Sequence, residues 1–175
     1  NPLLKMVQGW VDSGKLGKIA KVQVWTNRPV WPQGFAMPAP DESQKPEDLK
    51  WDLWLGPAKA IPYTPNIHPF NWRGWWDYGT GALGDVGCHL IDIPFRTLGL
   101  HYPTAAECSV GTVFTRMWTP DYHPEGCPAS SYITINFNAT EKSQKTAPEG
   151  TKQKVTCYLC QHPRCCRTFI LGKGL

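Results

Sequence analysis

Residues 29 to 80 restrict the fold more than any other part of the chain. They hold nine of the 17 prolines and six of the nine tryptophans, with no sustained periodicity. Proline cannot continue a helix or donate a hydrogen bond inside a sheet, so a long helix or a central strand is excluded here. The stretch is also too aromatic to be disordered. We therefore predict a long irregular segment that covers another part of the protein or a ligand. Its indole rings would pack in a core or against a flat ligand such as a sugar ring.

Two periodic segments precede this stretch. The sequence that starts at Asn1, with Pro2 at the first helical position, predicts a helix of about eleven residues that ends near Gly14. In the following segment, KIAKVQVWTNR at 18 to 28, the small and apolar residues Ala20, Val22 and Val24 alternate with Ile19, Lys21 and Gln23. This alternation predicts a strand with one buried face.

The second half of the chain predicts one long helix and then a series of strands. The helix covers residues 82 to 98, and we expect Pro94 to kink or break its last turn. Strands are predicted at 105 to 117, 130 to 140 and 155 to 160, with loops at 119 to 129 and 141 to 154. Strands that follow one another without helices between them favour antiparallel pairing. The sequence therefore predicts an α+β fold.

Composition narrows the classes of partner. The 175 residues suit one domain, and the net charge of +4 comes from scattered lysines and arginines, which argues against nucleic acid as a partner. No apolar stretch approaches the roughly 20 residues that a membrane-spanning helix needs, so no membrane partner is expected. Four of the seven cysteines crowd the last twenty residues, which does not resemble a disulfide framework. This usage favours the cytoplasm, with export as the alternative.

Gly79, Gly81 and Gly84 match the spacing G-x-G-x-x-G of a dinucleotide-binding loop. That motif needs a buried strand in front of it, and the preceding HPFNWRGWWDY has no run of Val or Ile. We therefore favour a tight loop in front of a helix, whose start could still approach an anionic group or a cofactor.

Four polar residues lie on one side of the predicted helix at 82 to 98. At 100° per residue, Asp85, His89, Asp92 and Arg96 fall within about 60° of one another. The rest of the helix is apolar, so we expect it to be mostly buried, with this polar stripe facing a cleft or another chain. The stripe fits a satisfied network in which Asp85 pairs with His89 and Asp92 with Arg96, or acid–base chemistry by His89. A metal site on Asp85 and His89 is a third option, but no further ligand stands at a suitable spacing, so no metal is expected.

Three long segments resemble the C-terminal domain of the glucose–fructose oxidoreductase, inositol dehydrogenase and MocA (Gfo/Idh/MocA) family. They are SGKLGKIAKVQVWTNRPVWPQG, WDLWLGPA and HPFNWRGWWDYGTGALGDVGCHLIDIPF. The resemblance covers residues 1 to about 155, which we take as the domain for substrate and oligomer contacts. It implies an open, mainly antiparallel sheet with helices packed on one face, and a homo-oligomer formed through that sheet. It also implies an oxidoreductase that uses NAD or NADP on a sugar, cyclitol or related polyol.

The resemblance also assigns roles to individual residues. The family's Asp-x-x-x-His motif falls on Asp85 and His89, which makes His89 the proton acceptor from the carbinol; Asp85 then orients it or contacts the substrate hydroxyl. The implied substrate-binding residues are Trp31, Gln33, Asn71, Trp72, Arg73 and Asp92. For contact with the cofactor, only Arg73 and Tyr78 are candidates in this chain.

Two departures from the family pattern qualify these expectations. Nothing matches the family's nucleotide fingerprint or its catalytic lysine, so we expect the cofactor to be bound mainly by an N-terminal Rossmann domain outside this chain. Residues 156 to 175 form a divergent or truncated Cys-rich tail, in which Cys157, Cys160 and His162 are too compressed for an ordinary structural zinc site. The alternatives are a carbohydrate-binding or oligomerisation module without chemistry, half of an NAD-assisted glycosidase, or a fragment that aggregates through exposed sheet edges.

Overall fold

A computed structural model describes residues 2–144, 152–160 and 169–171, the last two ranges by backbone alone. The chain divides into two compact units. The sheet unit consists of Asn1–Arg28, Val86–Val110 and Ser130–Leu175, and the aromatic unit consists of Pro29–Asp85 and Gly111–Ala129. Among the helices of the described residues, none is long and apolar enough to cross a membrane.

Four α-helices and two 3-10 turns are present in the described residues. The helices are α1 (Pro2–Asp12), α2 (Trp51–Leu55), α3 (Gly81–Leu98) and α4 (Glu141–Gln144), and the turns are Glu42–Gln44 and Asn71–Gly74. Helix α1 has the predicted length of 11 residues, and Gly14 follows it with a φ of +68°, as expected of a left-handed C-terminal cap.

The sheet unit contains a five-stranded sheet of mixed direction. Its strands are β1 (Lys21–Thr26), β2 (Pro103–Gly111), β5 (Ser130–Asn138), β6 (Lys152–Cys160) and β7 (Phe169–Leu171), in the order β2-β5-β6-β1-β7. β5–β6 and β1–β7 are antiparallel, and β1–β6 is parallel. A separate antiparallel hairpin pairs β3 (Val113–Arg116) with β4 (Thr119–Asp121). The α+β class and the mainly antiparallel pairing are confirmed.

The pattern of burial follows the alternation on which β1 was predicted. Val22, Val24 and Thr26 are buried, whereas the residues between them are half-buried. On β5, Phe137 is buried and packs edge-to-face against Phe95 of α3, with 6.4 Å between ring centroids. The buried residues Val22, Val24 and Phe137 belong to the apolar core of the sheet unit.

Several predicted boundaries were wrong. The single strand at 105 to 117 is two strands, β2 and β3, and the loop at 119 to 129 contains β4. The loop at 141 to 154 contains α4 and the start of β6. Helix α4 is capped at its start, where the Ser143 N–H donates to Thr140 Oγ1 and the Thr140 N–H donates to Ser143 Oγ. Pro94 does not break the last turn, since α3 runs through it to Leu98. The Cys-rich tail's side chains and His162 lie outside the described residues.

The aromatic unit has the irregular backbone predicted for residues 29 to 80. Only α2 and the two 3-10 turns interrupt it. Its core contains Trp51, Leu55 and Tyr63, with Trp54 stacked on Trp51 at a centroid distance of 4.7 Å. The Trp51 indole donates a hydrogen bond to the Ile61 carbonyl at 2.8 Å. Ring stacking between Trp51 and Trp54, together with the hydrogen bond from the Trp51 indole, therefore stabilises this segment, which has little regular secondary structure.

Close packing explains the glycines in front of α3. A Cβ atom on Gly79 would lie 2.6 Å from the Cα atom of Arg73. Gly81 has a φ of +58°, and a Cβ atom there would lie 2.8 Å from the Cβ atom of Cys127. The segment before them is the turn Asn71–Gly74 rather than a strand. The interpretation as a tight loop is therefore confirmed, and the dinucleotide-binding loop lacks the strand that it requires.

Replacing Gly81 by Ala should lower the free energy of unfolding by about 1–3 kcal/mol, because alanine is strained at this φ and its methyl group meets Cys127. The matched control is Gly9→Ala inside α1, where no atom lies within 4 Å of the new methyl group. That variant should gain about 0.5–1 kcal/mol. Urea denaturation followed by circular dichroism measures both, and equal effects at the two positions would contradict the packing.

Candidate functional site

Helix α3 carries the predicted polar stripe, and the stripe is accessible to solvent in the structure. The His89 side chain is exposed, and Arg96 donates a hydrogen bond from Nε to Asp92 Oδ1 at 2.6 Å. Leu83 and Phe95 are also exposed by 40% or more, so the expectation of a mostly buried helix was wrong. Although most of its residues are apolar, the helix buries only part of its surface within the described structure. The pairing of Asp92 with Arg96 is confirmed.

Asp85 is held by an arginine that the stripe does not contain. The Arg73 Nε atom donates a hydrogen bond to Asp85 Oδ1 at 2.9 Å, and both side chains are about one-quarter to one-third exposed. Arg73 also donates from Nη1 to the carbonyl of Phe70 at 3.0 Å. A partly buried, charge-assisted contact of this kind fixes geometry better than an exposed ion pair does.

Three aromatic rings surround the Arg73 guanidinium. Its central carbon lies 4.4 Å from the ring centroid of Trp72, 4.6 Å from that of Phe70 and 5.6 Å from that of Trp31. All three distances are within the range of a cation–π contact. The aromatic rings and the Asp85 carboxylate therefore together restrict the position of the guanidinium.

Trp31 and Gln33 lie inside the aromatic unit rather than on its surface. Their exposed fractions are 2% and 3%. The Trp31 indole N–H donates to Gln33 Oε1 at 2.8 Å, and Gln33 Nε2 donates to the Pro128 carbonyl at 2.7 Å. Both side chains are therefore engaged in hydrogen bonds inside the unit and are almost inaccessible to solvent.

The other residues implied in substrate and cofactor contact remain partly accessible. Asn71, Trp72 and Tyr78 are half-buried in the aromatic unit. Burial, followed by the nearby Asp77 carboxylate, raises the pKa of Tyr78 above its usual value, so the phenol stays protonated near neutral pH. Its hydroxyl donates to the Lys59 carbonyl at 3.4 Å.

The sequence did not predict a cavity that Trp72 and Tyr78 help to line. It has a volume of about 300 Å³ and is lined by Trp54, Leu55, Ala58, Trp72, Asp77 and Tyr78. Asp77 Oδ2 lies 3.5 Å from Lys59 Nζ at its edge. The signal in the sequence is the segment WDLWLGPA, which contains three of the lining residues, Trp54, Leu55 and Ala58.

The described residues do not fit the pyrophosphate of a dinucleotide. The space beside Gly79 and Gly81 is occupied by Arg73, Cys127 and Gln33, and no strand leads into the loop. Within the described residues, no three His, Cys, Asp or Glu side chains are grouped as metal ligands would be. The chemistry that this part of the chain offers is therefore an accessible imidazole, an anchored carboxylate and an aromatic cavity.

Replacing Arg73 by Lys should lower the free energy of unfolding by about 1–3 kcal/mol, because lysine cannot reproduce the planar contacts together with the two hydrogen bonds. Arg96→Lys is the matched control, since its partner Asp92 is exposed and lysine can replace the i,i+4 pair. The control should change stability by less than about 0.5 kcal/mol. Thermal unfolding measures both, and an equally mild effect at Arg73 would show that the surrounding rings contribute little.

A family model matches the part of the chain that contains these residues. The model of the Gfo/Idh/MocA oxidoreductase family, C-terminal alpha/beta domain, matches residues 2–110. No curated protein gives a significant match to the chain. The matched range contains α1, β1, the aromatic stretch and α3, and therefore both Asp85 and His89. Since the match spans more than half of the 175 residues, this chain belongs to the Gfo/Idh/MocA oxidoreductase family, as its C-terminal alpha/beta domain.

Proposed function

We propose that this domain provides the substrate side of an NAD- or NADP-dependent oxidoreductase that acts on a sugar, cyclitol or related polyol. His89 is the acid–base residue. The observation that carries the proposal is the exposed imidazole of His89 on α3, one helical turn after a carboxylate that Arg73 holds in place. The cofactor would be bound by a Rossmann domain that belongs to the family pattern.

The role of His89 follows from the proton balance of alcohol oxidation. When a carbinol becomes a carbonyl, the carbon loses a hydride and the hydroxyl loses a proton. Imidazole is the side chain whose ordinary ionisation lies nearest neutral pH, so it can accept that proton and return it in the reverse direction. The exposure of His89 gives a substrate hydroxyl access to it.

Asp85 and Arg73 are proposed to position the substrate side of this reaction. The Asp85 carboxylate accepts a hydrogen bond from Arg73 Nε and is one-third exposed, so it can still contact a substrate hydroxyl. Arg73 itself is held by Asp85 and Phe70, which makes it a positioning residue. Accurate placement of reacting groups is a large part of what an enzyme contributes to rate.

A carbohydrate-binding module without chemistry is the second candidate. The aromatic cavity favours it, because ligand binding there would not require His89. Titration of the chain with a polyol, followed by tryptophan fluorescence, distinguishes the two functions. A response to the polyol combined with no turnover in the presence of a nucleotide-binding domain would favour the module.

The direct test replaces His89 by Ala in a protein in which the family's N-terminal nucleotide-binding domain precedes this chain. Turnover of a panel of polyols should fall by about 10²–10⁴-fold, because the proton acceptor is lost. His101→Ala is the control, since His101 is also exposed but follows the end of α3. Circular dichroism checks that both variants fold, and unchanged turnover in His89→Ala would refute the role.

We also propose a homo-oligomer formed through the sheet. Strand β2 supports it, because every residue from Pro103 to Val110 is exposed in the described structure. An exposed strand at the edge of a sheet has unpaired backbone groups that can form hydrogen bonds with a strand of another chain. Sedimentation should show a species larger than the monomer, and Ala106→Lys on β2 should shift it towards the monomer. A monomer at all concentrations would refute this assembly.

A further inference from the structure

The β3–β4 hairpin of the aromatic unit holds several large apolar side chains in solvent. Four of them are 61% to 89% exposed, namely Phe114, Met117, Trp118 and Tyr122. The base of the hairpin, by contrast, is packed, since a Cβ atom on Gly34 would lie 3.0 Å from Val113 Cγ2. A two-stranded ribbon is only marginally stable by itself in water, and contiguous apolar surface marks a region that binds a partner.

Trp118 has a backbone conformation that tryptophan rarely adopts. Its φ is +64°, at the second position of the two-residue loop that Arg116 and Thr119 close. Glycine or asparagine is usual at such a position, because a bulky side chain is strained in the left-handed region. The fold of a single chain gives no reason for an exposed indole here, and a contact outside the chain does.

The residue types of the hairpin are those that protein–protein interfaces favour. Tryptophan, phenylalanine, tyrosine, methionine and arginine are all enriched in interfaces, and residues 114 to 122 contain each of them. Residues 114 to 118 also line a shallow depression with a volume of about 420 Å³. A protruding indole and a concave surface on the same short segment suit a contact between two identical surfaces.

The charges of the hairpin are complementary to a second copy of the same hairpin. Arg116 pairs with Thr119 in the ladder, and Asp121 follows Thr119 by two residues, so both charged side chains lie on one face. Within the described residues, neither of them forms an ion pair. When two hairpins lie antiparallel across a twofold axis, Arg116 of each copy meets Asp121 of the other. The Trp118 indole of each copy then reaches beyond this ion pair onto the second hairpin.

A membrane surface matches the hairpin less well. Segments that bind anionic lipids carry an excess of lysine and arginine beside their aromatic residues. Residues 113 to 122 contain one arginine and one aspartate, and therefore have no net charge. A second copy of the chain satisfies both charges, whereas a membrane would leave the aspartate without a partner.

We infer that the β3–β4 hairpin binds the same hairpin of a second copy of this chain, through Trp118 and two Arg116–Asp121 ion pairs. The inference goes beyond the proposed function, because this contact involves neither strand β2 nor His89. A standard interface contains roughly 20–30 residues on each side, and the hairpin is much shorter. The dimer is therefore weak, with a dissociation constant on the order of 0.1 mM.

The test is sedimentation velocity of the 175-residue chain with Ala106→Lys, which removes the contact proposed for β2. Between about 10 µM and 1 mM this chain should pass from monomer to dimer. Adding Trp118→Gly should weaken the dimer by about tenfold or more, because the indole is lost, while glycine fits the φ of +64° and keeps the loop folded. Leu53→Ala is the control, because Leu53 is 75% exposed on α2 of the same unit and should not affect the dimer.

Charge reversal identifies the partner as a second copy. In the same Ala106→Lys chain, Arg116→Asp and Asp121→Arg should each prevent dimerisation alone, because two pairs of like charges then face each other. An equal mixture of the two variants should dimerise again, because both pairs then join opposite charges. Circular dichroism checks that each variant keeps its fold.

The inference is overturned if the Ala106→Lys chain stays a monomer up to about 1 mM, or if Trp118→Gly dimerises as tightly as its parent. It is also overturned if the mixed charge variants do not associate, or if the chain binds phosphatidylcholine–phosphatidylserine vesicles through Trp118 in place of dimerising. The other proposals have separate tests. Ala106→Lys in the otherwise unmodified chain reports on β2, and turnover reports on His89.

Discussion

The contact between Arg73 and Asp85 is the constraint on which the candidate site depends. It joins the 3-10 turn Asn71–Gly74 to the first turns of α3, and the ring centroids of Trp72 and Phe70 lie 4.4 Å and 4.6 Å from the central carbon of the guanidinium. The close approach of Gly79 to the Arg73 backbone is a condition of this geometry, because any side chain there would push the turn away from the helix. The position of the carboxylate is therefore set by packing in the aromatic unit as much as by α3 itself.

The proposed function divides two tasks between different residues. In the proposed function, the exposed imidazole of His89 exchanges a proton, and Arg73 and Asp85 position the substrate. The rings of Trp54 and Tyr78 are fixed by stacking on Trp51 and by a hydrogen bond to the Lys59 carbonyl, respectively. Rigid aromatic surfaces contribute contact area at little cost in conformational entropy. The high tryptophan content of residues 29 to 80 therefore serves the core of the aromatic unit.

Local periodicity predicted helices and strands such as α1 and β1. It could not predict contacts between residues that are distant in the sequence. The length of α1 and the buried face of β1 followed from short-range patterns of side chains. Helical spacing predicted the Asp92–Arg96 pair but could not reveal that Asp85 binds Arg73, twelve residues earlier and outside the helix. The inward orientation of Gln33 depends on the Pro128 carbonyl, a partner 95 residues away. The family resemblance identified the Asp85-x-x-x-His89 motif but did not predict which groups contact each side chain.

A double-mutant cycle between Arg73 and Asp85 tests the central contact most directly. The free energies of unfolding of Arg73→Gln, Asp85→Asn and the double variant are compared with that of the unmodified chain. Residues in direct contact show coupling energies of about 0.5–3 kcal/mol, and we expect a value of about 1 kcal/mol or more here. Additive effects, with a coupling energy near zero, would contradict the account, because Asp85 would then be positioned by something other than Arg73.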